Sequence, residues 1–222
     1  MKHFLSLAVC VSLFCASSVR AEEEWIELFN GKDLTGWIQK NGTATYEVKD
    51  GAIVGTTADG SPNSFLCTEE RYGDFELQFE VKIDKELNSG VQIRSKTKGE
   101  EDHRPGQPHG RVNGPQVEIE VPGGVSGYIY GEATGRGWLT PDDRRERHEH
   151  FKTDQWNEYR VVAEGPKIKV WINGEEIDEL DDEQAYHTHP VGFIGLQVHG
   201  IPRDKGPYTA RWRNLKLKKI ER

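Results

Sequence analysis

The stretch Gly114-Pro115-Gln116-Val117-Glu118-Ile119-Glu120-Val121 alternates between polar and apolar side chains. Successive side chains of a β-strand point to opposite faces of the sheet. The alternation therefore predicts a strand whose apolar residues face the core, while Gln116, Glu118 and Glu120 lie on the opposite face. Two carboxylates spaced i, i+2 lie about 6.5–7 Å apart at the backbone and raise each other's pKa on a poorly hydrated surface. General acid/base catalysis uses such pairs, although any half-exposed strand can also carry Glu on its wet side.

Other segments show the same two-residue period. Phe75–Ile83 alternates over nine residues, and Asn173-Gly174 is a strong hairpin signal. No segment predicts a helix of ten or more residues, whereas about a dozen short strands with Gly-rich turns predict an all-β, two-sheet antiparallel sandwich. The stretch 99–115 is predicted to be irregular and 176–189 to be an acidic connection. The predicted core includes Phe75, Leu77, Phe79, Val117, Ile119, Ile194 and Leu196.

Residues 1–21 have the features of a secretory signal peptide. A basic start precedes an apolar run from Phe4 to Cys15, and Val19 and Ala21 stand at the two positions that a signal peptidase inspects. The run is too short for a transmembrane helix. We therefore expect an exported, soluble protein, periplasmic or extracellular, with one domain over residues 22–222.

The composition disfavours several classes of partner. The full chain has a net charge of −8, and without Lys2 and Arg20 the mature part has 27 basic against 37 acidic residues. A negative net charge disfavours binding to nucleic acid or to an anionic membrane. Cys67 is the only cysteine after the signal peptide, so the fold must be held by core packing rather than by disulfides. The oligomeric state is left open.

Three predicted strands bring polar side chains to the surface opposite the core. If these strands share a sheet, the surface combines amides, carboxylates, a guanidinium and an imidazole, which suit hydroxyl-rich ligands that need several hydrogen bonds. The candidate residues, taken from strands 91–94, 116–121 and 193–199, are Gln92, Arg94, Gln116, Glu118, Glu120, Gln197 and His199.

Aromatic side chains supply candidate platforms for sugar rings, although each would also suit core or hairpin packing. These candidates are Tyr128, Tyr130, Trp138 and Trp171. The other tryptophans outside this set are predicted to lie in the core, namely Trp25, Trp37, Trp156 and Trp212.

Several short motifs, taken in order, resemble the 3-keto-disaccharide hydrolase family. They begin with Leu28-Phe29-Asn30-Gly31-Lys32-Asp33-Leu34-Thr35-Gly36-Trp37 and continue through Asn88-Ser89-Gly90-Val91, Gly114 to Glu120, Trp156-Asn157, Trp171-Ile172-Asn173-Gly174, Ile194 to His199 and Arg213-Asn214-Leu215. The resemblance covers nearly the whole mature chain. It implies a concanavalin A-like jelly-roll sandwich and, for members with known activity, cleavage of glycosides whose sugar carries a 3-keto group.

The implied substrate suggests a mechanism. A ketone at C3 acidifies the C2 proton, so a base can form an enolate that expels the C1 substituent before water adds. The resemblance thus implies Glu118 or Glu120 as the base, Arg94 as the partner of the enolate oxygen, and His199 or the other Glu as the acid. The residues predicted to bind the substrate are Gln92, Gln116, Gln197, Trp138 and Tyr130.

Two other functions stay open at this stage. A conventional two-carboxylate glycosidase would also place acids on one strand, whereas a lectin-like carbohydrate-binding module would need neither carboxylate. Metal binding has only weak signals, the i, i+2 histidine pairs at 148–150 and 187–189. We expect no cofactor and no catalytic metal, while a structural divalent cation is left open.

Overall fold

The computed structural model describes residues 24–99, 110–120 and 124–221. In these ranges the chain forms fifteen β-strands, one six-residue α-helix, α1 (Glu183–Thr188), and one 3-10 helix (Asp142–Arg144). The strands are β1 (Ile26–Glu27), β2 (Trp37–Lys40), β3 (Thr45–Lys49), β4 (Ala52–Thr56), β5 (Ser64–Thr68), β6 (Phe75–Ile83), β7 (Asn88–Thr97), β8 (Val112–Glu120), β9 (Ile129–Glu132), β10 (Gly137–Trp138), β11 (Asn157–Glu164), β12 (Lys167–Ile172), β13 (Glu175–Asp181), β14 (Phe193–Val198) and β15 (Thr209–Lys219). The predicted signal peptide lies outside the described residues.

The strands form two antiparallel sheets, as the alternation predicts. The β6 sheet has the order β13-β12-β11-β6-β15-β4-β3, and β1 pairs with β15. The β8 sheet has the order β10-β9-β8-β7-β14-β5-β2. Strands that neighbour each other in space are often distant in sequence, which is typical of a jelly-roll sandwich. The predicted fold class is confirmed.

The main core lies between the sheets. All seven predicted core residues are buried, among them Phe79 at 2% and Ile119 at 0% exposed. The ring of Phe79 stacks on Tyr159 with 5.0 Å between centroids. Trp37 and Trp212 are also buried, as predicted. The apolar partners of each alternating strand therefore do face the opposite sheet.

A second, smaller apolar cluster lies on the other side of the β8 sheet. It consists of Phe65, Cys67, Val112 and Phe193, all at most 2% exposed. Cys67 is buried and forms no disulfide within the described residues. This cluster adjoins the polar surface described below, because Phe65 is the cross-strand partner of Gln197. In the described part of the chain, no helix is long and apolar enough to cross a membrane.

The prediction of an acidic connection over residues 176–189 is wrong, because most of this range forms strand β13 and helix α1. β13 is an edge strand that pairs with β12 through the turn at Asn173 and Gly174, whose φ angles are 52° and 88°. Both central residues thus have positive φ, which a two-residue hairpin needs and which Asn-Gly provides. α1 begins after Asp182, whose carboxylate accepts a hydrogen bond of 2.8 Å from the Ala185 amide. An N-terminal cap of this kind lets a short helix form in an otherwise acidic stretch.

The irregular stretch predicted over residues 99–115 is also partly wrong. Residues 100–109 lie outside the described residues, but Val112 to Pro115 form the first part of β8. Pro115 lies beside a bulge in β7, where the register shifts between Gln92 and Lys96. A bulge interrupts the hydrogen-bond ladder, so the missing N–H of a proline is tolerated there.

Candidate functional site

The face of the β8 sheet that points away from the main core carries a cluster of buried polar side chains. Its four central members are Gln92 of β7, Gln116 and Glu118 of β8, and Gln197 of β14, which we call the polar face. Their exposed fractions are 0%, 2%, 5% and 1%. Polar groups are rarely buried this completely, so the hydrogen bonds of each one decide what it can do.

The register of three adjacent strands arranges the polar face in rows. In one row Gly90 lies between Gln197 and Glu118, and in the next Gln92 is paired with Gln116. Gly90 has no side chain, and the Gln116 side chain lies over it: a Cβ at position 90 would come within 2.6 Å of Gln116 Cγ. Glycine at this position therefore lets the Gln116 amide reach its partners.

A chain of hydrogen bonds crosses the polar face and ends on Glu118. The Ser95 hydroxyl donates to Gln92 Oε1 at 2.6 Å, and Gln92 Nε2 donates to Gln116 Oε1 at 2.5 Å. Gln116 Nε2 then donates to Glu118 Oε2 at 2.9 Å, and Asn88 Nδ2 donates to Glu118 Oε1. Both carboxyl oxygens thus accept a hydrogen bond from an amide, which fixes the orientation of the group.

The environment of Glu118 raises the pKa of its carboxyl to about 7. Burial is the largest cause, because the charged form loses its hydration, and the nearby Glu120 and Glu132 carboxylates add to the shift. The hydrogen bonds from Gln116 and Asn88 lower the pKa in part. A carboxyl of this kind can both take up and release a proton at neutral pH, as a general base or acid must.

The raised pKa makes folding stability depend on pH. The native state binds the Glu118 proton more tightly than the unfolded state, so this proton's contribution to stability is complete below pH 4.5 and is lost as the pH rises through about 7. At 1.36 kcal/mol per pKa unit the loss is about 3 kcal/mol. The variant Glu118→Gln lacks this titrating group. We therefore expect the free energy of unfolding of the variant, relative to that of the wild type, to rise by about 3 kcal/mol between pH 4.5 and pH 8, as measured by urea titration of both proteins. A constant difference between the two proteins would contradict the shift.

Gln197 differs from the other amides of the polar face. Its side-chain nitrogen and its side-chain oxygen are both buried, and neither forms a hydrogen bond within the described part of the chain. Its neighbours on the flanking strands are Gly90 and Phe65. A buried amide without a partner costs about 1–3 kcal/mol per group, so Gln197 destabilises the fold as it stands in this structure.

Tyr130 and Trp138 extend the polar face towards the edge of the sheet. Tyr130 is the cross-strand partner of Gln116, and Trp138 is the partner of Tyr130, so all three side chains share a face. The two rings meet edge to face with 5.3 Å between centroids, and the Arg145 guanidinium lies 4.4 Å from the Trp138 ring. Both aromatic residues are half-buried and lie beside Gln116, and their role as platforms for a sugar ring stays a prediction.

Glu120 and His199 flank the other end of the polar face. Glu120 pairs with Asn88, and the β14 register, continued by one residue, places His199 beside Asn88. All three are half-buried. The Nδ1 atom of His199 lies 2.7 Å from the Gly200 carbonyl oxygen, which can only accept, so Nδ1 donates and the neutral ring keeps a lone pair on Nε2. Solvent reaches this end of the polar face, so acid and base groups here are accessible.

Comparisons with known proteins agree with this fold. The sequence matches the family model of the 3-keto-alpha-glucoside-1,2-lyase-like domain over residues 24–218. The chain belongs to this family. Its match spans both sheets and the whole polar face, so the family assignment suggested by the sequence motifs is confirmed. No curated protein sequence matches the chain.

Solved structures share the architecture of this family member at low sequence identity. A candidate glycosyl hydrolase from Parabacteroides distasonis has 20% identity and a TM-score of 0.58, covering 89% of this chain and 94% of that one. A carbohydrate-binding module from Bacillus subtilis has 17% identity and a TM-score of 0.58, covering 83% and 96%. A β-glucanase from Bacillus licheniformis has 13% identity and a TM-score of 0.59, covering 89% and 98%. At such identities the likeness establishes the fold alone.

The predicted position of Arg94 on the polar face is wrong for this family member. Arg94 lies in the β7 bulge with a φ of 48°, so the two-residue alternation from Gln92 does not continue to it. Its guanidinium pairs with Asp74 at 2.8 Å and also donates to the Gly73 and Gly165 carbonyl oxygens. Arg94 is 2% exposed, and its guanidinium lies 5.9 Å from the Phe75 ring. Its contacts connect the bulge of β7 to the residues next to β6 and β11. Arg94 is therefore not placed to contact a ligand on the polar face.

Three tryptophans also differ from expectation. Trp171, a candidate platform, lies on the outer face of the β6 sheet, where the Arg160 guanidinium stacks 4.3 Å from its ring. Trp25 and Trp156, predicted to be core, are half-buried under Lys216 and Arg213. A cation over the ring face lets these side chains remain at the surface. Trp171 is therefore separated from the polar face by the whole sandwich.

The histidine pairs do not form a metal centre in the described ranges. His148 Nε2 lies 2.8 Å from the Ser126 carbonyl oxygen, and His189 Nε2 lies 3.0 Å from Asn113 Oδ1. Burial lowers the pKa of both rings, that of His189 to about 4. No group of three or more potential ligands converges among the residues described. The expectation of no cofactor and the open structural cation stay predictions.

Sequence reasoning missed Asn88 as part of the site. The segment Asn88-Ser89-Gly90 suggests a turn before a strand, but in the structure Asn88 is the first residue of β7. Its place in the alternation with Gly90 and Gln92 is the signal that identifies it. Asn88 holds the Glu118 carboxyl from the side opposite Gln116.

Proposed function

We propose that the chain is a carbohydrate-active enzyme that cleaves 3-keto-glycosides, with Glu118 as the base that removes the C2 proton. The observation that carries the proposal is a buried carboxyl, held by two amides, whose pKa is raised to about 7. Membership of the 3-keto-alpha-glucoside-1,2-lyase-like family supports the substrate class.

The reaction needs one base and one acid. Glu118 takes the C2 proton, the C–H electron pair forms the C2–C3 double bond, and the carbonyl pair moves to the C3 oxygen as an enolate. When the enolate collapses, the C1–oxygen bond breaks, a C1–C2 double bond forms and the leaving oxygen takes a proton. Addition of water to this double bond then gives the free 3-keto sugar. A positioned base typically contributes about 10²–10⁴-fold to such a proton transfer.

The acid for the leaving oxygen is Glu120 or His199 in this proposal. Both lie at the half-buried end of the polar face, next to Asn88, where a leaving group can reach solvent. The Nε2 lone pair of neutral His199 can take up a proton from solvent and deliver it. Tyr130 and Trp138, at the opposite end, are positioned to stack on a sugar ring.

The proposal is tested by incubating the mature protein with a 3-keto-disaccharide and, separately, with its unoxidised parent. We expect only the keto compound to be consumed, because the parent has no acidic C2 proton. Mass spectrometry and NMR of the products check this. Cleavage of the parent at a comparable rate would instead indicate a conventional two-carboxylate glycosidase.

A carbohydrate-binding module is the second candidate. It is favoured by the unpartnered amide of Gln197 and by the fold shared with the Bacillus subtilis carbohydrate-binding module. A binding module would bind the sugar in the same experiment without consuming either compound, which calorimetry of the mixture would detect.

A further inference from the structure

The outer face of the β6 sheet, opposite the polar face, carries three of the six tryptophans. Trp25, Trp156 and Trp171 are half-buried there, and a cation lies over each ring, at 4.9, 4.2 and 4.3 Å from its centre. Tryptophan is highly buried on average, and both tryptophan and arginine are enriched where proteins bind a partner. The outer face, which the proposed reaction does not use, is therefore a candidate binding surface.

A groove of about 650 Å³ crosses this face beside Trp171, and we call it the outer groove. One wall is a single cross-strand row, in which Trp171 pairs with Arg160 and Arg160 with Gln78. Gln78 then pairs with Lys216, and Lys216 with Glu27. Neighbouring strands lie about 4.8 Å apart, so this row of five residues is roughly 19 Å long. Binding sites for small ligands measure about 300–1,000 Å³, so the groove has the size of such a site.

Salt bridges and hydrogen bonds fix the side chains on both walls of the outer groove. On the second wall, Arg213 Nε and Nη2 donate to Glu80 Oε2 at 2.8 and 2.6 Å, and Asn214 Nδ2 donates to Glu80 Oε1. On the first wall, Arg160 donates to both carboxyl oxygens of Glu76, at 2.7 and 3.1 Å. Side chains that are already ordered lose little freedom when a ligand binds, so these walls favour binding.

The lining of the outer groove limits the class of ligand. Carboxylates, amides and a guanidinium each present two hydrogen-bonding atoms in one plane, which suits pairs of neighbouring hydroxyl groups. The ring of Trp171 adds an apolar surface at one end. Acidic and basic side chains nearly balance, so neither a polyanion nor a polycation is favoured. The acidic residues are Glu27, Glu80 and Glu158, and the basic ones are Arg160 and Lys216.

We propose that the outer groove is a second, non-catalytic site that binds a neutral oligosaccharide chain. The whole sandwich separates it from the polar face, so a glycan held there leaves the polar face free for substrate. A bound chain also raises the local concentration of other parts of the same glycan around the protein. The inference does not rest on the proposed function, because the outer groove shares no residue with the polar face.

The test is calorimetric titration of the mature protein with maltotetraose, cellotetraose and laminaritetraose, each unoxidised. We expect at least one of them to bind, and Trp171→Ala and Glu158→Ala each to weaken that binding by about tenfold or more. Glu164→Ala is the matched control, because Glu164 is also exposed on β11 and points to the same face but does not line the groove. Trp138→Ala, on the polar face, should leave the binding unchanged.

Two results would overturn the inference. One is that none of the three tetrasaccharides binds to the wild-type protein. The other is that Trp138→Ala abolishes binding while Trp171→Ala and Glu158→Ala retain it, which would place the sugar on the polar face. Melting temperatures verify that each variant is folded, and Glu158→Ala keeps the test decisive if Trp171→Ala unfolds, because Glu158 is exposed. A wild-type protein that binds a tetrasaccharide but consumes no 3-keto-disaccharide would refute the proposed function and support the outer groove.

Discussion

Replacement of Glu118 by glutamine is expected to lower the turnover of a 3-keto-glycoside by about 10²–10⁴-fold. Glutamine keeps the size of the side chain, and its oxygen can still accept a hydrogen bond from Gln116 or Asn88, but it cannot take up the C2 proton. Affinity for the substrate should change little, because the sugar contacts of the other side chains remain. Initial rates from NMR give kcat and KM for the comparison.

The matched control is Glu76→Gln on the β6 sheet. Glu76 pairs with Arg160 at 2.7 Å on the far side of the sandwich, so its loss should leave turnover unchanged. Glu120→Gln is measured in parallel, because Glu120 is the other carboxylate of the strand. Retention of full activity by Glu118→Gln and by Glu120→Gln would show that the base lies elsewhere, with the loops that carry His148 and His189 as the next candidates.

Replacement of Asp74 by alanine is expected to destabilise the protein by about 3–5 kcal/mol. The Asp74 carboxylate pairs with Arg94 at 2.8 Å, and the guanidinium is 2% exposed. Without this partner a buried positive charge loses its compensating negative charge. Denaturant titration at pH 7 gives the free energy of unfolding.

A surface pair provides the control for Asp74. Lys169 and Glu179 lie 3.1 Å apart but are 37% and 45% exposed, so Glu179→Ala should cost no more than about 1 kcal/mol. An equal, small effect of both substitutions would contradict the structural role of Arg94. It would also reopen the prediction that Arg94 acts on the substrate.

The polar face could be predicted from the sequence where the two-residue alternation is unbroken. Gln116 and Glu118 follow from the pattern of β8, and Gln197 from that of β14. Arg94 could not be placed, because the bulge in β7 shifts the register by an amount that no local pattern records. The rule that residues i and i+2 share a face holds only while the ladder is regular.

The hydrogen bonds of the site depend on contacts that are distant in sequence. Glu118 lies beside Asn88 because β7 and β8 pair in one particular register, and the sequence alone does not determine that register. The same limit explains why Gln92 has two hydrogen-bond partners while Gln197, which has the same place in the alternation, has none among the described residues. Helix α1 was not predicted for another reason: its six residues are too few for a helical period to be recognised in the sequence.

Proton exchange at C2 tests the central claim most directly. In deuterated water the wild-type protein should give a 3-keto sugar product that carries deuterium at C2, because addition of solvent returns a deuteron to the carbon from which Glu118 removed the proton. NMR of the product detects the loss of the C2 proton signal. Cleavage of the 3-keto-glycoside with the original proton retained at C2 would contradict the account, because the C1 bond would then break without an enolate.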